Sequence, residues 1–418
     1  MTSEVFDRRT VLKMAGGLAA LSALPAGRAF AATTSINYWH HFTSQSEFAG
    51  LDAVMKAFAA ANPDIKVTQE NIPNPEFMTK VTAAVVAKSV PDTTMIAAER
   101  VADLTAMNAL IDITDRVDAW PPKPDFPDNC WKGITVDGKI YGVPSFTFVD
   151  WMYYRKDWFD AAGIKPPTTF AEFRDAAIKL TDPAQNRYGF SMRGGAGGGA
   201  YIINVLEAFG APLMHDDGSI SLDRNKAIEG LKWWTGLFTN DKAVPPSAPS
   251  DGFQQIMQAF MTGQTAMLWH HTGSLNDISA KLKPGVEFGT VPIPAGPAAR
   301  VARVSYAYNG LMKTQHEDAA FKWVTYWGSA DAAVALLKAT GYFPASKKVA
   351  QDSRITGNPI YQAAIDTLAF GRLPPSFPGL AGWTDNVALP AFQSVLIGHS
   401  SVDDAVDQMI SGLAAATS

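Results

Sequence analysis

Apolar residues recur along most of this chain with the two periods that secondary structure imposes, close to 3.6 for a helix and 2 for a strand. Ser35 to Trp39 reads as a strand. After a polar turn, Phe48, Leu51, Met55 and Phe58 follow at helical spacing until Asn62-Pro63 stops the helix. Ile65-Lys66-Val67-Thr68 alternates like a strand, a second helix is predicted from about Pro75 to Lys88, and Thr94-Met95-Ile96 forms a short buried strand. Alternation of strand and helix argues for an α/β layer built on a mainly parallel sheet.

The middle of the chain changes character. Trp120 to Asn129 is rich in proline and aspartate and reads as an irregular excursion. Asp137-Gly138-Lys139 is a turn before the strand Ile140 to Pro144, and Val149 to Tyr154 is again extended, leading to a helix start at Arg155-Lys156-Asp157. Helix dominates from Phe170, with Trp233, Trp234, Leu237 and Phe238 forming one apolar face. Gly285 to Ala299 is strand and turn, Val304 to Met312 is strand, and Ala319 to Trp327 and Val402 to Ala415 are helices. There are no internal repeats and no disordered linker.

The first residues stand outside this pattern. Arg8-Arg9 precede an apolar run, Met14 to Leu24, closed by Pro25, and Ala29-Phe30-Ala31 offers the small residues a signal peptidase needs. The run is too short to span a bilayer permanently, so it reads as an export signal of the twin-arginine type, cleaved after Ala31. Removing it takes away Arg8, Arg9, Lys13 and Arg28 but only Glu4 and Asp7, leaving a chain more acidic than the formal −5 of the whole. Dispersed mild acidity offers no basic stripe for nucleic acid. No second long apolar run suggests a membrane anchor, and no cysteine at the cleavage site suggests a lipid tether. The single Cys130 cannot form an internal disulfide. A soluble periplasmic monomer is expected, with a composition ample for two cored domains.

Four segments in order then carry a resemblance. They are Ile36-Asn37-Tyr38-Trp39 through Ala61-Asn62-Pro63-Asp64-Ile65-Lys66-Val67; Asp137-Gly138-Lys139-Ile140-Tyr141-Gly142-Val143-Pro144 with Met152 to Asp157, Ala162-Gly163-Ile164 and Pro167 to Phe173; Phe260 to Met267; and Ala319 to Trp323 with Gly341-Tyr342-Phe343-Pro344-Ala345. Together they resemble the extracellular solute-binding proteins of bacterial ABC sugar importers, family 1. The resemblance implies a two-lobed α/β fold of the periplasmic binding protein type II class, with three hinge crossings and a ligand cleft between the lobes. The crossings fall near Phe146 to Asp150, Val291 to Pro294 and Gly328 to Asp331. The implied lobes are residues 32–146 with 292–328, and residues 147–291 with 329–418. ABC permease subunits are the implied partners; no cofactor and no metal are.

A sugar site needs flat apolar faces against ring C–H groups and polar groups paired with hydroxyls, on loops at the carboxyl ends of strands. Trp39-His40-His41-Phe42 ends the first strand, so His40 and His41 are candidates, against a solvated strand end as the alternative. Trp269-His270-His271-Thr272-Gly273 repeats that chemistry, and Trp269, His271 and Thr272 are expected contacts. Adjacent histidines on extended chain point to opposite faces, so each doublet offers one convergent metal ligand at most and zinc is disfavoured. In Arg193-Gly194-Gly195-Ala196-Gly197-Gly198-Gly199, the Gly194 and Gly195 N–H groups could approach a ligand while Arg193 binds an oxyanion; a mobile surface loop is the alternative. Asp92 and Glu99 flank the third strand and could grip hydroxyls or cap helices. Tyr153, Tyr308, Asn309 and Tyr342 complete the set, with Arg372 and Trp383 on a proline- and glycine-rich excursion expected to be a loop.

These features favour capture of a carbohydrate-type solute, a sugar, polyol or derivative, with an anionic derivative (uronate, phospho- or sulfo-sugar) as the variant that Arg193, Arg372 and the histidines would allow. A periplasmic carbohydrate-active enzyme is the reading of another class. No nucleophile elbow, His-Glu-x-x-His or recognisable carboxylate pair supports it. A sensory protein presenting its closed form to a chemoreceptor would use the same cleft.

Overall fold

A computed structural model describes residues 33–417 apart from 74–75, 216, 376 and 378, and leaves out the side chains of Glu99 and Ala381. The export signal expected over residues 1–31 lies outside the described residues.

The chain opens with β1 (Thr34–His40), α1 (Gln45–Ala61), β2 (Ile65–Asn71), α2 (Phe77–Ala87) and β3 (Thr93–Ala97). The Ser44 side chain accepts the Glu47 N–H and the Glu47 carboxylate accepts the Ser44 N–H, a reciprocal cap that starts α1. The helix then buries Gly50, Leu51, Val54 and Phe58 against the sheet; full burial of a side chain such as Phe58 contributes about 2–3 kcal/mol. β1 lies parallel to both β2 and β3, with Thr34 opposite Ile65 and Tyr38 opposite Thr93.

Next come β4 (Val143–Tyr154), β5 (Tyr188–Ser191), α3 (Gly199–Ala208), α4 (Arg224–Thr239), β6 (Thr265–His271), β7 (Gly289–Val291), β8 (Val304–Leu311), α5 (Ala330–Thr340), β9 (Phe343–Pro344) and α6 (Val402–Ala416). Among the described residues the nine strands form one sheet, ordered β2-β1-β3-β8-β4-β6-β5, with β7 and β9 also on β4. Sequence periodicity suggests two extended pieces over 140–154. The structure joins most of them in a single strand, β4, of 12 residues.

β4 belongs to both halves. Its first part, Val143 to Val149, pairs antiparallel with β8, and its second, Asp150 to Tyr154, pairs antiparallel with β6. Two hydrophobic cores flank it. One gathers Ile36, Leu51, Phe58, Phe146, Trp323 and Trp327; the other gathers Phe190, Leu206, Trp234, Trp269, Trp383 and Met409. This is the two-lobed α/β arrangement.

The strands cross between the lobes at one place. The Asp150 N–H donates to the Arg303 carbonyl at 2.9 Å, the Arg372 N–H to the Ala302 carbonyl at 2.9 Å, and the Val304 N–H to the Arg372 carbonyl at 2.8 Å. Asp150 ends the span Phe146 to Asp150, and the chain passes it again at Arg303 instead of at Val291 to Pro294, since Ile293, Val301 and Ala302 still belong to the second core. The expected third crossing, Gly328 to Asp331, does not fall at this point. α5 lies on α1, so close that a Cβ on Gly50 would sit 2.9 Å from Leu336 Cδ1, and the chain stays with the first core through Ala364. α5 and β9, residues 330–344, therefore pack with the N-terminal lobe, while the Ile360 carbonyl accepts from Thr290 of β7 at 2.8 Å. A helix's apolar face is legible in sequence, but which lobe it covers is not.

Candidate functional site

Strand direction places the site. β3 and β4 are both antiparallel to β8, so β1, β2, β3 and the first half of β4 all run toward the crossing. β6 is antiparallel to β4 and ends with His271 opposite Asp150, and β5 runs parallel to β6. Both lobes thus aim the carboxyl ends of their parallel strands at one edge, where a cleft gathers loop residues.

On the N-terminal side this edge holds His40, His41, Asn71 and the Ala98–Arg100 turn. His40 is fully buried, Nε2 2.7 Å from Gln69 Oε1 and Nδ1 accepting the Phe42 N–H at 3.3 Å. Desolvation lowers its pKa. It is a strand-end organiser with little capacity left for a ligand. His41 points the other way, its ring edge-on to Phe77 at 5.6 Å, with the Arg100 guanidinium 4.9 Å over the same Phe77 ring. Its Nδ1 has no hydrogen-bond partner among the described residues. Burial, then the Arg100 charge, pushes its pKa down to about 3, so His41 is neutral. The side chain of Glu99 lies outside the described residues.

On the C-terminal side Tyr153 is buried and its hydroxyl donates to the His271 carbonyl at 3.0 Å. His271 Nδ1 accepts the Gly273 N–H at 3.1 Å, which puts the proton of the neutral ring on Nε2. Burial followed by the Arg303 and Arg193 charges takes its pKa to about 3. The His270 and His271 ring centroids are 4.2 Å apart, closer than an extended doublet predicts. The His271 ring meets Phe148 edge-on at 5.4 Å, and Tyr342 stacks on Phe146 at 4.8 Å while its hydroxyl donates to Glu47. Thr272 is buried, its Oγ1 without a partner among the described residues. Trp269 is 3 % exposed among Phe170, Phe173, Phe190 and Trp234, so it is core. Its edge lines a cavity of about 10 Å³, room for one water, beside Asp150, Tyr201 and Asn204.

The glycine loop follows β5 but works differently from its sequence reading. The Gly194 N–H donates to the Ala248 carbonyl at 3.0 Å and the Gly195 N–H to the Asp251 carbonyl at 2.8 Å, so neither is free for an anion. A Cβ would lie 2.3 Å from the Ala248 oxygen at Gly194 and 2.4 Å from the Ser250 oxygen at Gly195. These glycines let two backbones touch. Arg193 donates from Nε to the Ala196 carbonyl at 2.7 Å and reaches the neighbourhood of Tyr201, His270 and His271.

Five expected residues stand away from the edge. Asp92 precedes β3, at the opposite end of the sheet, where it accepts the Asn37 N–H at 2.7 Å and binds Thr314 and His316. Tyr308 and Asn309 lie well along β8 from the crossing, fully buried; the Tyr308 hydroxyl donates to the Cys130 carbonyl and Asn309 accepts from Tyr38. Arg372 is at the crossing by its backbone, but its side chain is exposed and paired with Glu207. Trp383 sits not on a loop but in the short helix Leu380–Trp383, 1 % exposed, its indole donating to the Met409 carbonyl.

Sequence reasoning misses Asp150, Arg303, Tyr201 and Glu47. Asp150 is 3 % exposed, and Arg303 Nη2 donates to it at 3.2 Å. Burial, with the Asp150 carboxylate next, raises the Tyr201 pKa to about 12, against the partial opposing pull of Arg193 and Arg303. Asp150 did leave a signal: it is the only charge in the twelve-residue strand Val143–Tyr154, and a lone carboxylate in an apolar strand requires a partner.

Comparison with known proteins agrees with this architecture. Residues 43–334 match the family described as bacterial extracellular solute-binding protein. A putative binding protein of Brucella abortus is 25% identical over 361 residues, 84% of this chain and 86% of that protein. An ABC substrate-binding protein from Listeria monocytogenes in complex with cycloalternan superposes with a TM-score of 0.78 at 23% identity, covering 91% of this chain and 98% of that one. An ABC transporter solute-binding protein of Agrobacterium vitis with bound D-mannitol gives a TM-score of 0.74 at 20% identity, over 92% and 98%. At these identities the two structures share the fold.

Proposed function

The chain belongs to the family of bacterial extracellular solute-binding proteins, and we propose that it captures a carbohydrate-type solute between its lobes and delivers it to an ABC importer. The observation that carries this reading is the convergence of strand ends from both lobes on one edge, with His41, Arg193, His271 and Tyr342 around it. Neutral histidines suit hydroxyls, and the Phe146, Phe148 and Tyr342 rings give apolar surface beside them. The cycloalternan and mannitol seen in proteins of the same fold support a saccharide or polyol. A ligand touching both lobes favours the closed form, which the two permease subunits would recognise.

The protein acts as a monomer without catalysis in this reading. It leaves the cytoplasm by the twin-arginine route, is cleaved after Ala31, and works in the periplasm. The hinge lies at Asp150, Arg303 and Arg372; residues 292–302 go with the second lobe and residues 330–344 with the first, and the other assignments stay as in the sequence. Calorimetry of the purified mature chain against neutral and acidic sugars, polyols and oligosaccharides tests the central claim. Saturable binding of one class with no turnover is expected; no binding by any of them, or hydrolysis of the bound sugar, refutes it.

A further inference from the structure

Around the C-terminal side of the cleft edge the charges do not balance. Arg303 is held twice by Asp150, through the backbone bond and the 3.2 Å ion pair. Arg193 has no carboxylate within ion-pair distance among the described residues. Its Nε donates to the Ala196 carbonyl at 2.7 Å, and its guanidinium is hydrogen-bonded to the Tyr201 side chain. The other groups facing it, Tyr201 on α3 and His270 and His271 at the end of β6, are neutral. The cluster of Arg193, Arg303 and Asp150 therefore keeps one uncompensated positive charge in a half-buried place, which costs free energy unless something answers it.

The loop is shaped to hold that charge still. Gly197 has φ +80°, and a Cβ there would come within 2.2 Å of Arg193 Nη2 and 2.5 Å of Cζ. Only glycine both adopts that backbone angle and leaves room for the guanidinium to lie against it. With Nε on Ala196 and a further contact to Tyr201, the guanidinium still keeps N–H donors on its Nη groups that an oxyanion can accept. The Gly194 and Gly195 N–H groups are committed to residues 248–251, so the side chain and not a backbone nest is the group able to read an anion.

We propose that Arg193, seated by Gly197, binds an oxyanion carried by the solute, so that the ligand is an acidic sugar derivative and not a neutral sugar. This rests on the carbohydrate reading above. The test is calorimetry on matched pairs: galacturonate with galactose, glucuronate with glucose, their di- and trisaccharides, and glucose 6-sulfate and 6-phosphate with glucose. At least one acidic member should bind tenfold or more tightly than its neutral partner. Arg193→Met should remove that preference, weakening the acidic member at least tenfold more than its neutral partner. Gly197→Ala should weaken the acidic ligand too, with Arg193 still present. A neutral partner bound as tightly as the acid, or an Arg193→Met variant that weakens both alike, overturns the inference and leaves carbohydrate capture standing. Failure of every neutral and acidic sugar to bind overturns both. The wild-type comparison needs no variant to fold, and thermal melts of both variants confirm that they do.

Discussion

The ion pair at the crossing gives the sharpest energetic test. Asp150 is 4% exposed at its side chain and Arg303 27%. The pair therefore falls between two regimes. Exposed pairs are worth about 0–1 kcal/mol, and breaking a fully buried pair costs about 3–5 kcal/mol, chiefly by stranding a charge. Arg303 retains enough water to escape the full penalty. Asp150→Asn is accordingly expected to cost about 1–3 kcal/mol, since the amide keeps a hydrogen bond but leaves Arg303 without its counter-charge. Arg303→Gln should cost somewhat more, because the stranded Asp150 is the better buried partner. A double-mutant cycle with both changes, read by urea unfolding, isolates the pairwise term. We expect a coupling of about 1–2 kcal/mol. A coupling below about 0.3 kcal/mol would show that the crossing is held by its backbone bonds alone and that the ion pair is incidental.

Further outcomes follow from other sites. His41 and His271 have native pKa values near 3 against about 6.5 unfolded, so the unfolded state binds more protons below neutrality. Stability should be full above pH 6.5 and fall as pH drops toward 3, by up to about 1.4 kcal/mol per pH unit per histidine. Urea unfolding between pH 6.5 and 5, above the carboxylate range, checks this, and His271→Asn should flatten the slope. Gly195→Ala drives a Cβ to 2.4 Å from the Ser250 carbonyl oxygen and strains the Asp251 bond. A loss of about 2–4 kcal/mol is expected in thermal or urea melts. Gly382→Ala is the control: its Cβ meets nothing within 4 Å in a short helix, so a gain of about 0.5–1 kcal/mol is expected. Tyr342→Phe removes the hydroxyl that donates to Glu47 and should cost about 1 kcal/mol in the same assay.

Much of the fold was legible because it is written locally. Phe48, Leu51, Met55 and Phe58 mark α1, whose cap at Ser44 and Glu47 is a four-residue pattern. The site was less legible, since identical local chemistry met different surroundings. His40 and His41 are neighbours in sequence, yet one is consumed by Gln69 and Phe42 while the other faces Phe77 and Arg100. Tyr308 and Asn309 read as binding candidates, but β8 runs away from the crossing and carries them into the core. Asp92 fails for the complementary reason: it precedes a parallel strand instead of following it. Only strand direction separates these cases, and direction belongs to the sheet.

The same directional logic bears on how closure could work. β4 passes unbroken through the crossing, flanked by the chain at Arg303 and, beyond it, at Arg372, all linked by backbone hydrogen bonds. Three adjacent extended segments resist sliding and shear but can share a small bend, so we expect relative motion of the lobes to be rotation about this line. Asp150 and Arg303 lie on the line itself, whereas His41 belongs to one lobe and Arg193 to the other, so rotation is expected to change the separation of those two. A ligand shifts the equilibrium only by its differential contacts with the two states. The groups on the hinge line should therefore set stability, and the side chains that face across the cleft should set affinity. Asp150→Asn is expected to lower the melting temperature with little change in ligand dissociation constant, and Arg193→Met to do the reverse. Calorimetry and thermal melts on the two variants decide it; equal effects of either change on both quantities would mean that hinge and site are one energetic unit.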